Sequence, residues 1–310
     1  MKIAFMGTPD FSVECLKALA ASKHEIVGVF CQPDKPVGRK QELKMPDVKI
    51  EALKHNLPVF QPKTLKNGAG VEILKKINPE LVIVVAYGKL LPPDFLAYPK
   101  YGCINIHASL LPKYRGASPI HHCVLNGETE TGVTSMQMDA GLDTGDMLEK
   151  SQLTIGPDMT LEELHDALSL RGAELMKTTI EKILDGTVVR TKQDDSLSCY
   201  AKMIEKDTGA IDWSRTTAEI HNLVRALDSA PGAFTSLGEE KYKIWRTKPA
   251  DLSADGKAPG DILRADGKGL LVKTGDGVIE VLELQAPAKK RMKAADYLRG
   301  HALELPAKFE

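Results

Sequence analysis

Residues 81–86, Leu-Val-Ile-Val-Val-Ala, run apolar without a polar interruption. A strand with one wet face alternates apolar and polar residues, whereas a strand covered on both faces does not. This run therefore reads as an inner strand of a mostly parallel sheet with helices on both sides. Extended to Tyr87 it is the longest apolar run in the chain, far short of the ~18–20 residues that span a bilayer. The surrounding sequence agrees. Residues 2–6 form a short apolar strand, Gly7-Thr8-Pro9-Asp10 a turn, and 11–21 have helical spacing. Strands at Glu25–Phe30, Val59–Phe60 and Cys103–His107 alternate with helices at 48–55, 71–77 and 120–125. A loop rich in Pro, Gly and Lys occupies 32–47. Alternating strands and helices predict a doubly wound, Rossmann-like α/β domain.

The pattern changes near residue 190. Residues 191–198 are polar and read as a connection, and 217–227 as an amphipathic helix. Short alternating runs follow at 241–246, Gly269–Lys273 and 278–284, divided by turns at Asp255-Gly256, Asp266-Gly267 and Asp276-Gly277. Short strands with tight turns predict a small, OB-like β-barrel. The expected organisation is a catalytic domain at 1–190, a linker at 191–208 and a C-terminal barrel at 209–310, two domains in 310 residues.

The charge balance narrows the function. Lys plus Arg number 41 against 42 Asp plus Glu, a net charge of −1, which argues against bulk attraction to nucleic acid or membrane. Any nucleic-acid contact must come from local clusters. The five cysteines are scattered and contain no C-x-x-C pair, so a disulfide framework and a zinc site are not expected. The opening residues hold too short an apolar stretch for a signal peptide. A cytoplasmic monomer is expected. The first turn, M-G-T-P-D-F, has one glycine where a dinucleotide fingerprint needs three, and Pro9 removes a backbone donor.

Two stretches carry candidate chemistry. In the strand Cys103–His107, Asn105 and His107 share a face, and Ile104 and Ile106 face a helix layer. Two polar side chains at the carboxyl end of a sheet strand lie where α/β folds bind ligands. They are either a mutually satisfied structural pair or part of a site. The second stretch, Met138-Asp139-Ala140-Gly141-Leu142-Asp143-Thr144-Gly145-Asp146, places three acids among glycines. It fails the calcium-loop pattern, because Gly141 and Lys150 stand at the third and twelfth positions. It reads as a solvated turn or as a carboxylate delivered to a neighbouring strand.

Together, N-I-H-A-S-L-L-P-K-Y-R-G-A-S-P-I (Asn105 to Ile120) and M-D-A-G-L-D-T-G-D-M (Met138 to Met147) resemble the folate-dependent formyltransferases. The resemblance implies 10-formyltetrahydrofolate as formyl donor and no metal. It puts the family's catalytic Asn, His and Asp on Asn105, His107 and Asp143. Asp143 is the matching acid because it follows His107 by 36 residues. The folate segment S-L-L-P falls on Ser109, Leu110, Leu111 and Pro112, and the stretch V-A-Y-G-K-L-L-P adds Lys89, Leu90 and Leu91. F-M-G-T-P-D-F, Q-P-D-K-P-V-G-R, I-D-W-S and P-G-A-F-T extend the resemblance over nearly the whole chain. They imply the branch of the family that formylates the α-amine of methionine on initiator tRNA for translation initiation. A sugar-nucleotide or other small amine is the alternative acceptor. Two departures, Asp228-Ser229-Ala230-Pro231 and Ala288-Lys289-Lys290, lie outside the catalytic segments. The basic clusters then become candidate tRNA contacts. Arg39, Lys40 and Lys44 sit on the 32–47 loop, with Arg39 on the family's G-R arginine, and Lys241 and Lys243 sit on the barrel. A third cluster is Lys289, Lys290, Arg291 and Lys293.

Overall fold

The computed structural model describes residues 1–38, 41–301 and 303–310. Packing divides the chain into two units. The first holds Met1–Pro119, Glu130–Leu153 and His165–Ala201, and the second Ile120–Thr129, Thr154–Leu164 and Lys202–Glu310. The expected 191–208 connection thus begins inside the first unit.

Along the first unit run β1 (Lys2–Gly7), α1 (Val13–Ala20), β2 (Glu25–Phe30), β3 (Lys35–Val37), β4 (Glu42–Lys44), α2 (Asp47–Lys54) and β5 (Val59–Phe60). They are followed by α3 (Ala69–Ile77), β6 (Leu81–Val85), α4 (Pro93–Leu96), β7 (Cys103–His107), β8 (Arg115–Gly116), α5 (Pro119–Leu125), β9 (Glu130–Gln137), β10 (Met147–Thr154), α6 (Leu161–Leu184) and β11 (Tyr200–Ala201). α5, β10 and α6 extend past the unit limits. The main sheet has the order β10-β9-β7-β6-β1-β2-β5. β1 pairs in parallel with both β2 and β6, so the chain winds to one side of β1 and then to the other. That reversal opens a crevice at the carboxyl ends of β1 and β6, where α/β sheets bind ligands. β7 pairs in parallel with β6, and β9 runs antiparallel to β7.

All five residues of β6 are buried, as an uninterrupted apolar strand requires. Ala4, Met6, Val82, Val84 and Cys103 share one face and pack with Leu74 and Phe95 of α3 and α4. The other face meets α1 and α6. A Cβ on Gly172 of α6 would lie 3.2 Å from Ile106 Cγ2, and Ser169 Oγ donates to Phe11 O at 2.9 Å. The 24-residue α6 and the strand β10 lie in a stretch the sequence reading leaves without elements. Within the stretch read as a loop at 32–47, Lys35–Val37 and Glu42–Lys44 are strands. β3 and β4 form an antiparallel hairpin apart from the main sheet, which lets Pro36 sit in an edge strand.

The second unit continues with α7 (Thr217–Ala226), β12 (Ala233–Leu237), β13 (Glu240–Ala250), β14 (Ile262–Asp266), β15 (Gly269–Lys273), β16 (Val278–Gln285), β17 (Met292–Lys293) and α8 (Ala294–Gly300). The strand order is β12-β13-β16-β15-β14, with β17 against β16. The last residues join the two edges. Ile262 N donates to Ala307 O and Phe309 N to Gly260 O, both at 2.9 Å. Ser236 and Glu310 exchange two backbone bonds at 3.1 and 2.9 Å. The tail thereby pairs beside β14 and β12 and closes the sheet into a barrel, removing both open edges. Phe309 is the plug. It is 2 % exposed and stacks on Trp213 with ring centroids 5.7 Å apart. No helix among the described residues is long and apolar enough to cross a membrane.

Closure by one aromatic residue has a measurable consequence. Phe309→Ala should lower unfolding free energy by about 3–5 kcal/mol, the usual cost of emptying a buried aromatic site. Denaturant unfolding followed by tryptophan fluorescence reads it, and an unchanged midpoint would show that the tail does not hold the barrel.

Candidate active site

The polar groups gather on β7 and on the loop that follows β9. Asn105 lies opposite Met136 and His107 opposite Thr134 in the register with β9. The chain then turns through 138–146 before β10. Three features shape that turn. Asp139 closes it internally, accepting from Thr144 Oγ1 at 2.8 Å and from Gly141 N at 3.0 Å. Gly145 packs so tightly on the Gln137 carbonyl that a Cβ would overlap it. Asp143 adopts a left-handed backbone, φ 56°, which Asp and Asn tolerate better than most residues.

The result is a buried carboxylate between two candidate donors. Asp143 is 9 % exposed and His107 6 %. Asn105 Nδ2 approaches Asp143 Oδ1 at 3.4 Å, and His107 Nδ1 lies 3.7 Å from Oδ2. Both separations are longer than a well-formed hydrogen bond, so neither donor is fully used. The strong bond to the carboxylate comes from Gly116 N, at 2.9 Å to Oδ2. The imidazole is fixed from its other side. His107 Nε2 donates to the Tyr114 carbonyl at 2.9 Å, which commits that nitrogen's proton. Nδ1 therefore faces Asp143 and carries a hydrogen only in the doubly protonated ring. Tyr114 is itself held by Cys199, whose Sγ accepts the Tyr114 N–H at 3.2 Å.

A second layer was not legible as a site in the sequence. Gln193 stands in the polar stretch read as a connection, yet it is 6 % exposed. Its Nε2 donates to the carbonyls of Asp143 and Gly145, each at 2.8 Å. Its Oε1 accepts from Arg115 Nε and Nη2 at 3.0 and 2.8 Å, and Arg115 Nη2 also reaches Asp195 Oδ1 at 2.8 Å. β8 and β11 pair in parallel just beside Gly116. The loop bearing Asp143 is thus held by a side chain 50 residues downstream. The only advance signal was a glutamine and a lone arginine with no stated role.

The remaining sequence candidates divide. Ser109 is fully buried, its Oγ donates to Lys113 O at 2.6 Å, and its carbonyl accepts from Thr134 Oγ1 at 2.7 Å. Leu111 N donates to the same Thr134 hydroxyl at 3.1 Å. The Ser109-Leu110-Leu111-Pro112 turn is therefore pinned to β9 as a rigid wall. Lys89 Nζ is drawn away to the carbonyls of Pro62 and Lys63, at 3.1 and 2.9 Å. Leu91 belongs to the core, whereas Leu90 is 68 % exposed. Among the basic candidates, Arg39 and Lys40 lie outside the described residues, and Lys44 is exposed on the hairpin, 3.9 Å from Asp47. In the barrel unit Lys241 Nζ lies over the Phe234 ring, and Lys243 Nζ donates to Pro231 O at 2.9 Å. Arg291 of the third cluster is neutralised by buried Asp228 and by Glu283, each at 2.6 Å. Burial pushes the thiols of Cys15 and Cys103 up to about 12 and that of Cys31 to about 11, so these three stay protonated near neutral pH and are not nucleophiles. No group of three or more His, Cys, Asp or Glu among the described residues could hold a metal ion.

Residues 1–180 match the formyl transferase family, and 203–302 match the formyl transferase C-terminal domain. The chain belongs to the formyl transferase family. A methionyl-tRNA formyltransferase of Ruminiclostridium cellulolyticum is 48 % identical over 310 residues, covering 100 % of this chain and 99 % of that one. Among solved structures, an N-formyltransferase from Helicobacter canadensis, in complex with folinic acid and dTDP-3-aminofucose, matches with a TM-score of 0.66 at 22 % identity. That match covers 92 % of this chain and 99 % of the other. HypX from Aquifex aeolicus, in complex with tetrahydrofolic acid, matches with a TM-score of 0.63 at 16 % identity. The match covers 96 % of this chain and 47 % of HypX, so this chain spans about half of that protein. At these identities the two structures speak to the fold of a formyl transferase and not to its substrate.

The Gln193 bracket gives a test within this formyl transferase that is independent of Asn105 and His107. Gln193→Leu removes two of the hydrogen bonds of the buried Arg115 guanidinium, leaving it Asp195, and frees two carbonyls, each unsatisfied group a cost of about 1–3 kcal/mol. Turnover should fall about tenfold or more while the protein still folds. A kcat equal to wild type in steady-state assays would show that the bracket does not position Asp143.

Proposed function

We propose that this chain transfers the formyl group of 10-formyltetrahydrofolate to the α-amino group of methionine esterified to initiator tRNA, for translation initiation. The observation that carries the reading is the convergence of two under-used donors, Asn105 Nδ2 and His107 Nδ1, on the Asp143 carboxylate at a strand end. The near-complete overlap with a methionyl-tRNA formyltransferase supports the acceptor. In this reading the enzyme works in the cytoplasm as a monomer.

We assign the folate to the crevice beside 85–92. Gly88 there has open space around its Cα, and Leu90 offers an exposed apolar side chain to a flat ring. The pinned 109–112 turn, with half-buried Leu110, is assigned as the other wall. Lys89 contributes through its backbone, because its ammonium is engaged elsewhere. When bound, the folate supplies the formyl carbon, and the chain supplies the environment for acyl transfer. Asn105 Nδ2 and the doubly protonated ring of His107 donate to the oxygen that becomes negative as the amine adds to that carbon. Asp143 holds the charged imidazole by ion pairing. The free acceptor amine has a reference pKa of roughly 7.7–8.0, so much of it is protonated near neutral pH. It must lose that proton before attack and a second one on the way to the amide. The first is released to solvent; Asp143, directly or through water, takes the second and passes it to the departing folate nitrogen. Arg39, Lys40 and Lys44 are proposed to meet the acceptor stem, and Lys241 and Lys243 to meet the phosphate backbone. The latter two can do so only as point charges, since one is stacked on a ring and the other tied to a carbonyl.

Formyl transfer from labelled 10-formyltetrahydrofolate to methionyl-tRNA, to a nucleotide-linked amino sugar and to water checks the acceptor. Transfer to methionyl-tRNA should exceed the other two by orders of magnitude. Preferential transfer to the amino sugar would replace the tRNA with a small acceptor, and release of free formate alone would make the chain a hydrolase.

A further inference from the structure

The strand pair β8–β11 brings one aromatic residue to the edge of the candidate site. Tyr200 lies opposite Arg115 and Ala201 opposite Gly116. The Tyr200 ring leans over Gly116, and a Cβ there would lie 3.3 Å from its Cε1 and 3.4 Å from its Cδ1. The same Gly116 donates its N–H to Asp143 Oδ2 at 2.9 Å. One glycine residue thus separates the ring from the carboxylate that would handle the acceptor amine. Gly116 also has a positive φ of 111°, and any side chain there would meet the ring and the Ala201 carbonyl, so only glycine fits beneath the ring.

The fold gives no reason for an aromatic residue here. Tyr200 is 58 % exposed, and its hydroxyl makes no hydrogen bond among the described residues. Its backbone already provides the pairing with β8, so the side chain is not needed to hold the strand. A flat, exposed ring on a rigid element, one residue from the reacting groups, is a stacking platform. Single-stranded RNA ends are bound in this way, by laying an unpaired base on an aromatic face.

On the reading that the acceptor is a charged tRNA, we propose that Tyr200 positions the acceptor by stacking with the unpaired base at its 3′ end, adjoining the ribose that carries the methionine ester. The contact would hold the amine over Asp143 and add nothing for an acceptor that lacks a base. Tyr200 is then a positioning residue that makes no contact with the reacting atoms.

The test uses the full-length enzyme, three acceptors and two variants. The acceptors are methionyl-tRNA, methionyl-adenosine ester and methionine methyl ester, the last with no base. Tyr200→Leu should lower kcat/KM about tenfold for the first two and leave the methyl ester unchanged, since one base–aromatic stack is worth about that factor. Tyr200→Phe should stay within about twofold of wild type on all three, because the ring and not the hydroxyl makes the contact. A tRNA with 2-aminopurine at its 3′ end should be quenched on binding to wild type and to Tyr200→Phe, but not to Tyr200→Leu. Unchanged rates and intact quenching in Tyr200→Leu would overturn the proposal. So would an equal loss on all three acceptors, which would place the ring against the methionine side chain. A wild-type enzyme inert on methionyl-tRNA would refute the underlying reading, whereas an active wild type with an indifferent Tyr200→Leu refutes the stacking alone.

Discussion

A carboxylate kept almost out of water at the end of a sheet must be compensated, and the first unit is organised around doing so for Asp143. A buried carboxylate without partners is far more costly than any local gain from the turn that carries it. Here the compensation comes from one short backbone bond, Gly116 N at 2.9 Å, and from two longer approaches by Asn105 and His107. The short bond fixes where the charge sits. The long ones leave donor capacity for a ligand. A fully satisfied polar cluster would hold its donors at closer and better-formed distances, and the proposed site rests on that difference.

The constraint spreads outward through backbone positions. Gln193 ties the carbonyls of Asp143 and Gly145 to Arg115, whose neighbour Gly116 donates to the carboxylate. Cys199 steadies Tyr114, whose carbonyl takes the His107 Nε2 proton. Segments at 114–116 and 193–201 therefore act together on a residue at 143. Such a bracket restrains the Asp143 loop through hydrogen bonds to both its backbone and its carboxylate, the kind of support that a precisely held side chain requires.

Much of this was legible in the sequence, and the boundary has physical causes. β6 declared itself because burial on both faces leaves an apolar run, and the shared face of Asn105 and His107 follows from strand geometry alone. The family resemblance, not the residue pattern, singled out Asp143 from Asp139 and Asp146. The structure supplies the reason for one of those distinctions, since Asp139 is consumed in closing its own turn. α6 is absent from the sequence reading although Leu164, Leu168, Met176, Ile180 and Ile183 recur at helical spacing and are buried. Its solvent face is densely charged, and the apolar stripe is diluted by it. β10 escaped because an edge strand with alternating exposure reads as polar coil. The role of Gln193 could not be read at all, since it depends on a contact 50 residues away. Barrel closure by Phe309 escaped for the same reason, as nothing local marks a terminal tail as the strand that joins two edges.

The central claim is that the charge of Asp143, rather than the shape of its loop, organises the donors. Single-turnover formyl transfer in Asp143→Asn measures this directly, with Asp139→Asn and Asp146→Asn alongside. Asparagine accepts the left-handed backbone that Asp143 adopts at φ 56°, so the substitution removes charge while keeping the loop. The account predicts a loss of about 10² or more for Asp143→Asn, the scale of removing one element of oxyanion stabilisation, and rates within a few-fold of wild type for the other two. A rate in Asp143→Asn within about threefold of wild type would contradict it, because one missing donor alone costs more than that.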